Sequence, residues 1–138
     1  MEKFLWDDTY SVGVSQMDEE HKRILAIINQ MVEHPEASER SETISEILGH
    51  LTTYAYEHFE HEEKLLEDHG YPDLNSQRVE HRKFRRRVAT FCSNLMTDHD
   101  RQNWAPEELL TYLMLWWKDH ILVSDKKYGV FFEARSPN

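Results

Sequence analysis

The chain contains a single cysteine, Cys92, among its 138 residues. One cysteine cannot form an internal disulfide and excludes a metal site built on a CxxC pair, and it is compatible with a reducing compartment. The longest apolar run, residues 112–117, is far too short to span a bilayer. Residues 1–10 lack the apolar stretch of a signal peptide. These absences together predict a cytoplasmic protein without a membrane span.

Basic residues are outnumbered, with 16 lysines and arginines against 26 aspartates and glutamates and a net charge of −10. This balance argues against nucleic acid or an anionic membrane as the main partner. One cluster has the opposite sign, and we interpret it as the solvent-exposed face of a helix: Arg78, Arg82, Lys83, Arg85, Arg86 and Arg87.

Glycine and proline are scarce, at four residues each, and most of them fall where helical patterns break. Four helices are predicted, from about Ser15 to Pro35, Ser41 to Asp68, Asp73 to Met96 and Pro106 to Asp125. Each has apolar residues at spacings of three and four, whereas no alternating strand pattern is present. The predicted fold is an all-α, antiparallel up-down-up-down four-helix bundle of one domain, residues 1–138, in which residues 1–14 form an extended N-terminal arm. Ser15 and Asp18 resemble a capping box at the first helix.

Polar residues interrupt the apolar stripe of every helix. They are His21 in the first, His58 and Glu62 in the second, Gln77 and His81 in the third, and His120 and Asp125 in the fourth. A lone histidine on an apolar face is more often a core residue than a ligand. Four histidines and two carboxylates in one core, however, would carry the large cost of unpaired buried charge. A divalent metal removes that cost, because it neutralises the carboxylates and accepts the imidazole lone pairs.

The number and type of these donors favour two iron ions. Six or seven donors exceed a four-coordinate zinc site, and imidazole combined with carboxylate suits iron. The Glu-x-x-His pairs of ferritin-like bundles are absent from the sequence. A site rich in imidazole and poor in carboxylate favours reversible binding of a small molecule over oxidase chemistry. Of the other histidines, His61 is a weak candidate for a group behind the ligands and His69 for a helix cap, while the rest are predicted at the surface: His34, His50 and His99.

Four motifs are distributed over nearly the whole chain: MDEEHK at residues 17–22 after a tryptophan and a GV pair, HFEHEEKLL at 58–66, GYPDL at 70–74 with EHRKF at 80–84, and WWKDHILVSDKKYG at 116–129. Together they resemble the hemerythrin family, and in particular its short single-domain bacterial members, the bacteriohemerythrins. The resemblance implies a four-helix bundle around a non-haem di-iron centre. Its two iron ions would be bridged by Glu62, Asp125 and an oxo or hydroxo group.

The resemblance also implies a function and a ligand for each iron. His21 and His58 would hold the iron at which dioxygen binds reversibly, so that the protein carries, stores or delivers oxygen and is not an enzyme. His81, His120 and one further histidine would hold the other iron. The oxygen pocket would be lined by Ile24, Phe59, Trp116, Trp117 and Ile121. Tyr128 would orient Asp125 from behind. Dioxygen is the expected partner, and the chain is expected to be a monomer or weak oligomer.

Gln77 is the one clear departure from the family pattern, because it stands four residues before His81, where the further histidine belongs. It could ligate iron through its amide oxygen, hold a water, or hydrogen-bond elsewhere and leave an open position. In each case the second iron loses a nitrogen donor, which predicts weaker binding and a less favoured ferric state. Two alternative functions follow: an oxygen, redox or nitric oxide sensing module, or a peroxide-reactive di-iron enzyme.

Overall fold

The computed structural model describes residues 3–33, 41–97 and 106–135. The helical elements, in chain order, are α1 (Ser15–Glu33), α2 (Ser41–Asp68), α3 (Leu74–Thr97), α4 (Pro106–Asp119), a π-helical turn (His120–Asp125) and α5 (Lys126–Arg135). Across the described ranges there is no strand. The predicted all-α four-helix bundle is confirmed, and the predicted bounds of its first three helices agree closely with the observed ones.

The apolar stripes predicted from spacing form the core of the bundle. In α1 the buried positions follow the three-and-four pattern of an amphipathic helix: Met17, Glu20, His21, Ile24, Leu25, Ile28 and Met31. Ile24, Leu25, Ile28 and Met31 pack with buried side chains of the other helices, among them Leu51, Phe59, Phe84 and Trp117. Burial of each large apolar side chain contributes about 1.5–3 kcal/mol. This packing holds the helices in the register that brings their polar residues together.

The fourth helix does not end near Asp125, as the sequence predicted, but continues into α5 as far as Arg135. The π-helical turn makes this continuation possible, and its final hydrogen bond runs from the Lys126 N–H to the Ile121 carbonyl, five residues back. In an α-helix, residues five apart point in different directions. The wider π turn returns His120 and Asp125 to the same face, and both side chains are buried there.

The junction between α2 and α3 is a glycine-terminated helix end. Gly70 has a φ of 67°, and the N–H groups of Gly70 and Tyr71 donate to the carbonyls of Glu67 and Leu66 at 3.1 and 2.9 Å. This is the hydrogen-bond pattern of the Schellman motif, in which glycine takes the left-handed conformation. His69 Nδ1 lies 2.9 Å from the Leu65 carbonyl oxygen, so its predicted role as a cap of the second helix is confirmed.

The N-terminal arm lies along the bundle, with a 3₁₀ turn at Asp8–Tyr10. The Phe4 N–H donates to Asn29 Oδ1 at 2.7 Å, and Asn29 Nδ2 donates to the Phe4 carbonyl at 2.9 Å. The predicted capping box is wrong, because the Asp18 carboxylate accepts hydrogen bonds from Ser11 Oγ and the Val12 N–H instead, at 2.6 and 2.8 Å. Asp18 therefore fastens the arm to α1.

We expect Gly129→Ala to destabilise the protein by about 1–3 kcal/mol, the usual cost of overpacking. A Cβ on Gly129 would lie only 2.6 Å from the backbone carbonyl oxygen of Val12, so the arm would have to move. Gly49→Ala is the matched control, because a Cβ there meets no described atom within 4 Å. It should stabilise α2 by about 0.5–1 kcal/mol. Urea unfolding of both variants measures the difference, and equal stabilities would contradict this account.

Most of the described residues that were predicted at the surface are exposed. Arg82, Lys83, Arg86 and Arg87 are exposed, whereas Arg78 is half-buried and forms ion pairs with acidic residues at the end of α2. His50 is exposed as predicted, while His34 and His99 lie outside the described residues. Among the helices of the described ranges, none has the length and apolar character needed to cross a membrane.

Candidate metal centre

The structure brings all seven polar stripe residues together inside the bundle. Each is at most 2% exposed: His21, His58, Glu62, Gln77, His81, His120 and Asp125. They come from α1, α2, α3 and the π-helical turn. The imidazole and carboxylate side chains form two groups that share Glu62. We call the space between His21 and His58 the first position and the space between His81 and His120 the second position.

The first position is bounded by two imidazoles and two carboxylate oxygens. His21 Nε2 lies 3.0 Å from Asp125 Oδ2 and 3.6 Å from Glu62 Oε2. His58 Nε2 lies 3.3 Å from the same oxygen of Glu62. Each histidine thus turns the same ring nitrogen toward a shared point.

The second position repeats this arrangement with the other oxygen of each carboxylate. Glu62 Oε1 lies 3.0 Å from His81 Nε2 and 3.5 Å from His120 Nε2. Asp125 Oδ1 lies 3.1 Å from His120 Nε2, and the two imidazole nitrogens are 3.3 Å apart. Glu62 and Asp125 therefore each present one oxygen to the first position and the other oxygen to the second, as bridging carboxylates would.

These separations fit ligands of a common ion. Bonds from first-row metals such as zinc to nitrogen and oxygen are about 2.0–2.2 Å, which places neighbouring ligand atoms about 3.0–3.5 Å apart. His21 Nε2 and Asp125 Oδ2 are 3.0 Å apart, yet neither atom makes a hydrogen bond within the described part of the protein, and His58 Nε2 makes none either. Buried polar atoms are rarely left without a partner. All three atoms face the first position, and a metal ion there would supply that partner.

The protonation of the metal-free site reflects a competition between burial and charge. Burial disfavours a charged imidazole, but the carboxylates of Asp125 and Glu62 outweigh it and raise the pKa of His21 to about 9 and that of His120 to about 10. Burial likewise opposes ionisation of Glu62, whose pKa is nevertheless held well below its usual value by the surrounding histidines, first of all His58. Without metal, the site is a network of imidazolium and carboxylate groups.

Metal binding should therefore release protons. His21 and His120, with pKa values of about 9 and about 10, are protonated near neutral pH and must become neutral to bind a metal. We expect at least two protons to be displaced when both positions fill, and the apparent affinity to rise about tenfold per pH unit for each proton until the pH reaches these values. Anaerobic calorimetry with ferrous iron in buffers of different ionisation enthalpy measures this release. A binding enthalpy independent of the buffer would contradict it.

Three carboxylates behind the histidines were missed by sequence reasoning. Glu20 Oε1 lies 2.6 Å from His58 Nδ1. Glu63 Oε2 lies 2.8 Å from His81 Nδ1, and Glu80 accepts a hydrogen bond from Ser124 and lies 3.7 Å from His120 Nδ1. The contacts of Glu20 with His58 and of Glu63 with His81 are within hydrogen-bond distance and fix the ring orientation and tautomer of these two histidines, so that Nε2 faces the site. The available signal was their spacing, because each lies three or four residues from members of its own helix's buried stripe.

His61, the weak candidate behind the ligands, does take part in this outer layer. Its Nδ1 lies 2.9 Å from Glu20 Oε2, so Glu20 connects His61 with His58. The His61 side chain is 51% exposed. Although burial opposes ionisation of Glu20, hydrogen bonds from His58, Gln16 and His61 lower its pKa to about 2. The carboxylate behind His58 is therefore charged at any physiological pH.

Two hydrogen bonds hold the shared carboxylates from opposite sides. Tyr128 Oη donates to Glu62 Oε2 at 2.8 Å. The prediction that Tyr128 orients Asp125 is therefore wrong, because the carboxylate that it contacts is that of Glu62. Gln77 Nε2 donates to Asp125 Oδ1 at 3.0 Å. Gln77 Oε1 is buried and has no hydrogen-bond partner among the described residues. Of the three roles considered for Gln77, the hydrogen bond to another group is the one whose contact is present.

The predicted pocket residues surround both positions and not the first alone. The ring of Trp117 lies 6.0 Å from that of His58 and 6.5 Å from that of His21. The ring of Phe59 stacks on His81 at 3.9 Å, and Trp116 stacks on His120 at 4.5 Å. The two aliphatic residues, Ile24 and Ile121, are fully buried in the same core. The aromatic lining is therefore closest at the second position.

Comparison with known proteins decides the family. The family model described as "Hemerythrin HHE cation binding domain" matches residues 12–130. The chain is a member of the hemerythrin family. It is 30% identical over 128 residues to the bacteriohemerythrin of Clostridium acetobutylicum, covering 91% of this chain and 98% of that protein. It is also 30% identical over 128 residues to the bacteriohemerythrin of Pseudomonas aeruginosa strain LESB58, covering 93% and 80%. A hemerythrin-like protein of Naegleria gruberi is 27% identical over 125 residues, covering 91% and 90%.

Membership in the hemerythrin family agrees with the geometry of the site. The matched residues 12–130 include all seven polar stripe residues of the site. Hemerythrins are iron-binding proteins, and this chain provides two adjoining groups of buried donors that could hold a metal ion. The ligand atoms of His21, His58, Glu62 and Asp125 all lie within 4.8 Å of one another, as do those of Glu62, His81 and His120.

Proposed function

We propose that this hemerythrin-family protein holds two iron ions and reversibly binds dioxygen at the first position, as a carrier, store or delivery protein. The observation that supports this most is that Glu62 and Asp125 each present one oxygen to the histidines of the first position and the other oxygen to those of the second. His21 and His58 would hold one iron and His81 and His120 the other, with both carboxylates bridging. The iron pair, when bound, supplies the electrons for reversible binding of dioxygen.

The side chains around the site would keep it rigid and dry. Glu20 and Glu63 hold the imidazoles of His58 and His81 from behind. Tyr128 fixes Glu62, and burial together with the charges of Asp125 and Glu62 raises the pKa of its phenol well above the usual value, so it remains a hydrogen-bond donor. The fully buried ring of Trp117 beside the first position would exclude water. Exclusion of water and of outside acids favours release of dioxygen unchanged.

The broader setting is proposed on the same basis. We take residues 1–138 as one domain with dioxygen as its ligand, as a monomer or weak oligomer, in a reducing compartment such as the cytoplasm. The single cysteine supports the reducing compartment. Nucleic acid and membranes are not proposed as partners, because the net charge is −10.

Anaerobic reconstitution with ferrous iron tests the proposed function. After air is admitted, we expect a visible absorption band that disappears when oxygen is removed and returns when it is restored. His58→Gln should lose this reversible band, because it removes a donor of the first position. His50→Gln is the matched control on the same helix, since His50 is exposed, and it should keep the band. A band that never reverses in the unaltered protein would reject the carrier function.

A second candidate function is supported by Gln77. Its amide donates a hydrogen bond to Asp125 beside the second position and adds no nitrogen donor, and its Oε1 has no partner among the described residues. A more open second metal suits a peroxide-reactive enzyme or a module that senses oxygen, redox state or nitric oxide. In the same experiment, rapid irreversible oxidation of the iron on exposure to air would favour these functions over a carrier.

A further inference from the structure

The two metal positions offer the same set of donors. The first position has the Nε2 atoms of His21 and His58 with one oxygen each of Glu62 and Asp125. The second has the Nε2 atoms of His81 and His120 with the other oxygen of each carboxylate. Each set therefore contains two imidazoles and two carboxylate oxygens. Because octahedral iron takes six ligands, four protein donors leave open places at both positions.

Gln77 is placed as a hydrogen-bond donor and not as a nitrogen ligand. Its Nε2 donates to Asp125 Oδ1 at 3.0 Å, and an amide NH₂ group has no lone pair to offer a metal. The contact is the counterpart of the one that Tyr128 makes with Glu62 on the side of the first position. Like Tyr128, Gln77 would steady a shared carboxylate while the metal beside it stays accessible.

The free oxygen of Gln77 adds a polar contact for an incoming molecule. Gln77 Oε1 is buried and has no hydrogen-bond partner among the described residues, an arrangement that is unfavourable if no donor reaches it. A water, or another small molecule that carries a proton, could donate to this oxygen. The open place at the second position thus has an acceptor beside it that remains unused by the described protein.

An aromatic ring stacks on each of the two histidines of the second position. Phe59 stacks on His81 with the ring planes 12° apart, and Trp116 stacks on His120 with the planes 14° apart. Phe59 is fully buried, and both histidines are at most 2% exposed. Such a lining admits small uncharged molecules more readily than hydrated ions. The open place is therefore suited to a small uncharged molecule.

We propose that the second position is a second binding site for a small exogenous ligand, of the class of nitric oxide or hydrogen peroxide, so that the metal pair takes two such ligands and not one. This proposal rests on the proposed metal pair, but it does not require that dioxygen binding be reversible. Histidine at residue 77 would bring a third imidazole to the second position and fill the open place. Gln77 would thus determine how many ligands the site accepts.

Nitric oxide titration of the anaerobic, ferrous-loaded protein tests this inference. Iron content is measured first, and the number of nitric oxide molecules bound per iron pair is then determined by absorbance and electron paramagnetic resonance. We expect two in the unaltered protein and one in Gln77→His, with two irons per chain in both. Ser76→His is the matched control, because it adds a histidine at an exposed neighbouring residue, and it should still bind two. Gln77→Ala should bind two as well.

Three results would overturn the inference. One nitric oxide per pair in the unaltered protein with two in Gln77→Ala would mean that the Gln77 oxygen itself closes the position as a ligand. One nitric oxide per iron pair in both the unaltered protein and Gln77→Ala would mean that a group other than Gln77 closes the second position. Fewer than two irons per chain in the unaltered protein would mean that no second metal is held there. A dioxygen band that fails to reverse, together with two bound nitric oxide molecules, would reject the carrier function and leave this inference standing.

Discussion

Glu62→Ala is expected to abolish tight binding at both metal positions at once. Glu62 belongs to both donor groups, with Oε2 facing His58 and Oε1 facing His81. Loss of a contact behind a ligand already lowers metal affinity about 10- to 100-fold. Loss of the shared ligand itself should therefore weaken each position by more than about 100-fold. Competition with a chelator of known affinity measures this change.

Two variants separate the loss of the ligand from a loss of folding. Glu60→Ala removes an exposed carboxylate from the same helix and should keep both metals. Glu62→Gln keeps the volume of the side chain and can still accept the hydrogen bond from Tyr128, yet it should also bind metal poorly, because a neutral amide oxygen is a weaker ligand. If Glu62→Ala lost only one of two bound metals, the bridging role of Glu62 would be wrong.

The bundle and the composition of its polar core were predictable from the sequence, because both follow from the spacing of three and four residues along each helix. His21, His58, His81 and His120 each continue an apolar stripe, so their helices had to turn them inward. The stripe pattern of a helix depends on its own residues alone. The stripe can therefore be recognised in the sequence without knowledge of the partner helices.

The π-helical turn was not predicted, although the sequence contained a signal for it. His120 and Asp125 were both assigned to one site, yet they are five residues apart and would diverge on a regular α-helix. Their common direction requires the extra residue of a π turn. The predicted end near Asp125 was wrong, because the chain continues through this turn into α5.

The remaining features that the sequence did not predict are contacts between side chains of different helices. Gln77 reaches Asp125 across 48 residues, and Glu20 reaches His58 across 38. The three roles considered for Gln77 all place the same side chain on the same helix face, so spacing could not choose among them. The choice depends on which atom of a neighbouring helix lies within about 3 Å, the usual hydrogen-bond distance. That information is present only once the helices are packed.

Phe59→Ala is expected to have the largest effect on stability, with a loss of about 3–5 kcal/mol in the free energy of unfolding. Phe59 is fully buried, and its ring is stacked between His81 and Trp117, with centroids 3.9 and 5.6 Å away. Truncation would leave a cavity next to the second metal position. Total stabilities are typically about 5–15 kcal/mol, so the variant should retain only part of its stability. Urea unfolding of the metal-free protein measures the loss.

Phe59→Leu and Thr53→Ala make the origin of this loss testable. Leucine refills much of the cavity but cannot stack on His81, so it should recover most of the stability while metal affinity at the second position stays reduced. Thr53→Ala changes an exposed residue of the same helix and should alter stability by no more than about 0.5 kcal/mol. If Phe59→Leu restored both stability and metal affinity, cavity volume alone would explain the role of Phe59. If it restored stability only, stacking on His81 would be the property that positions this ligand.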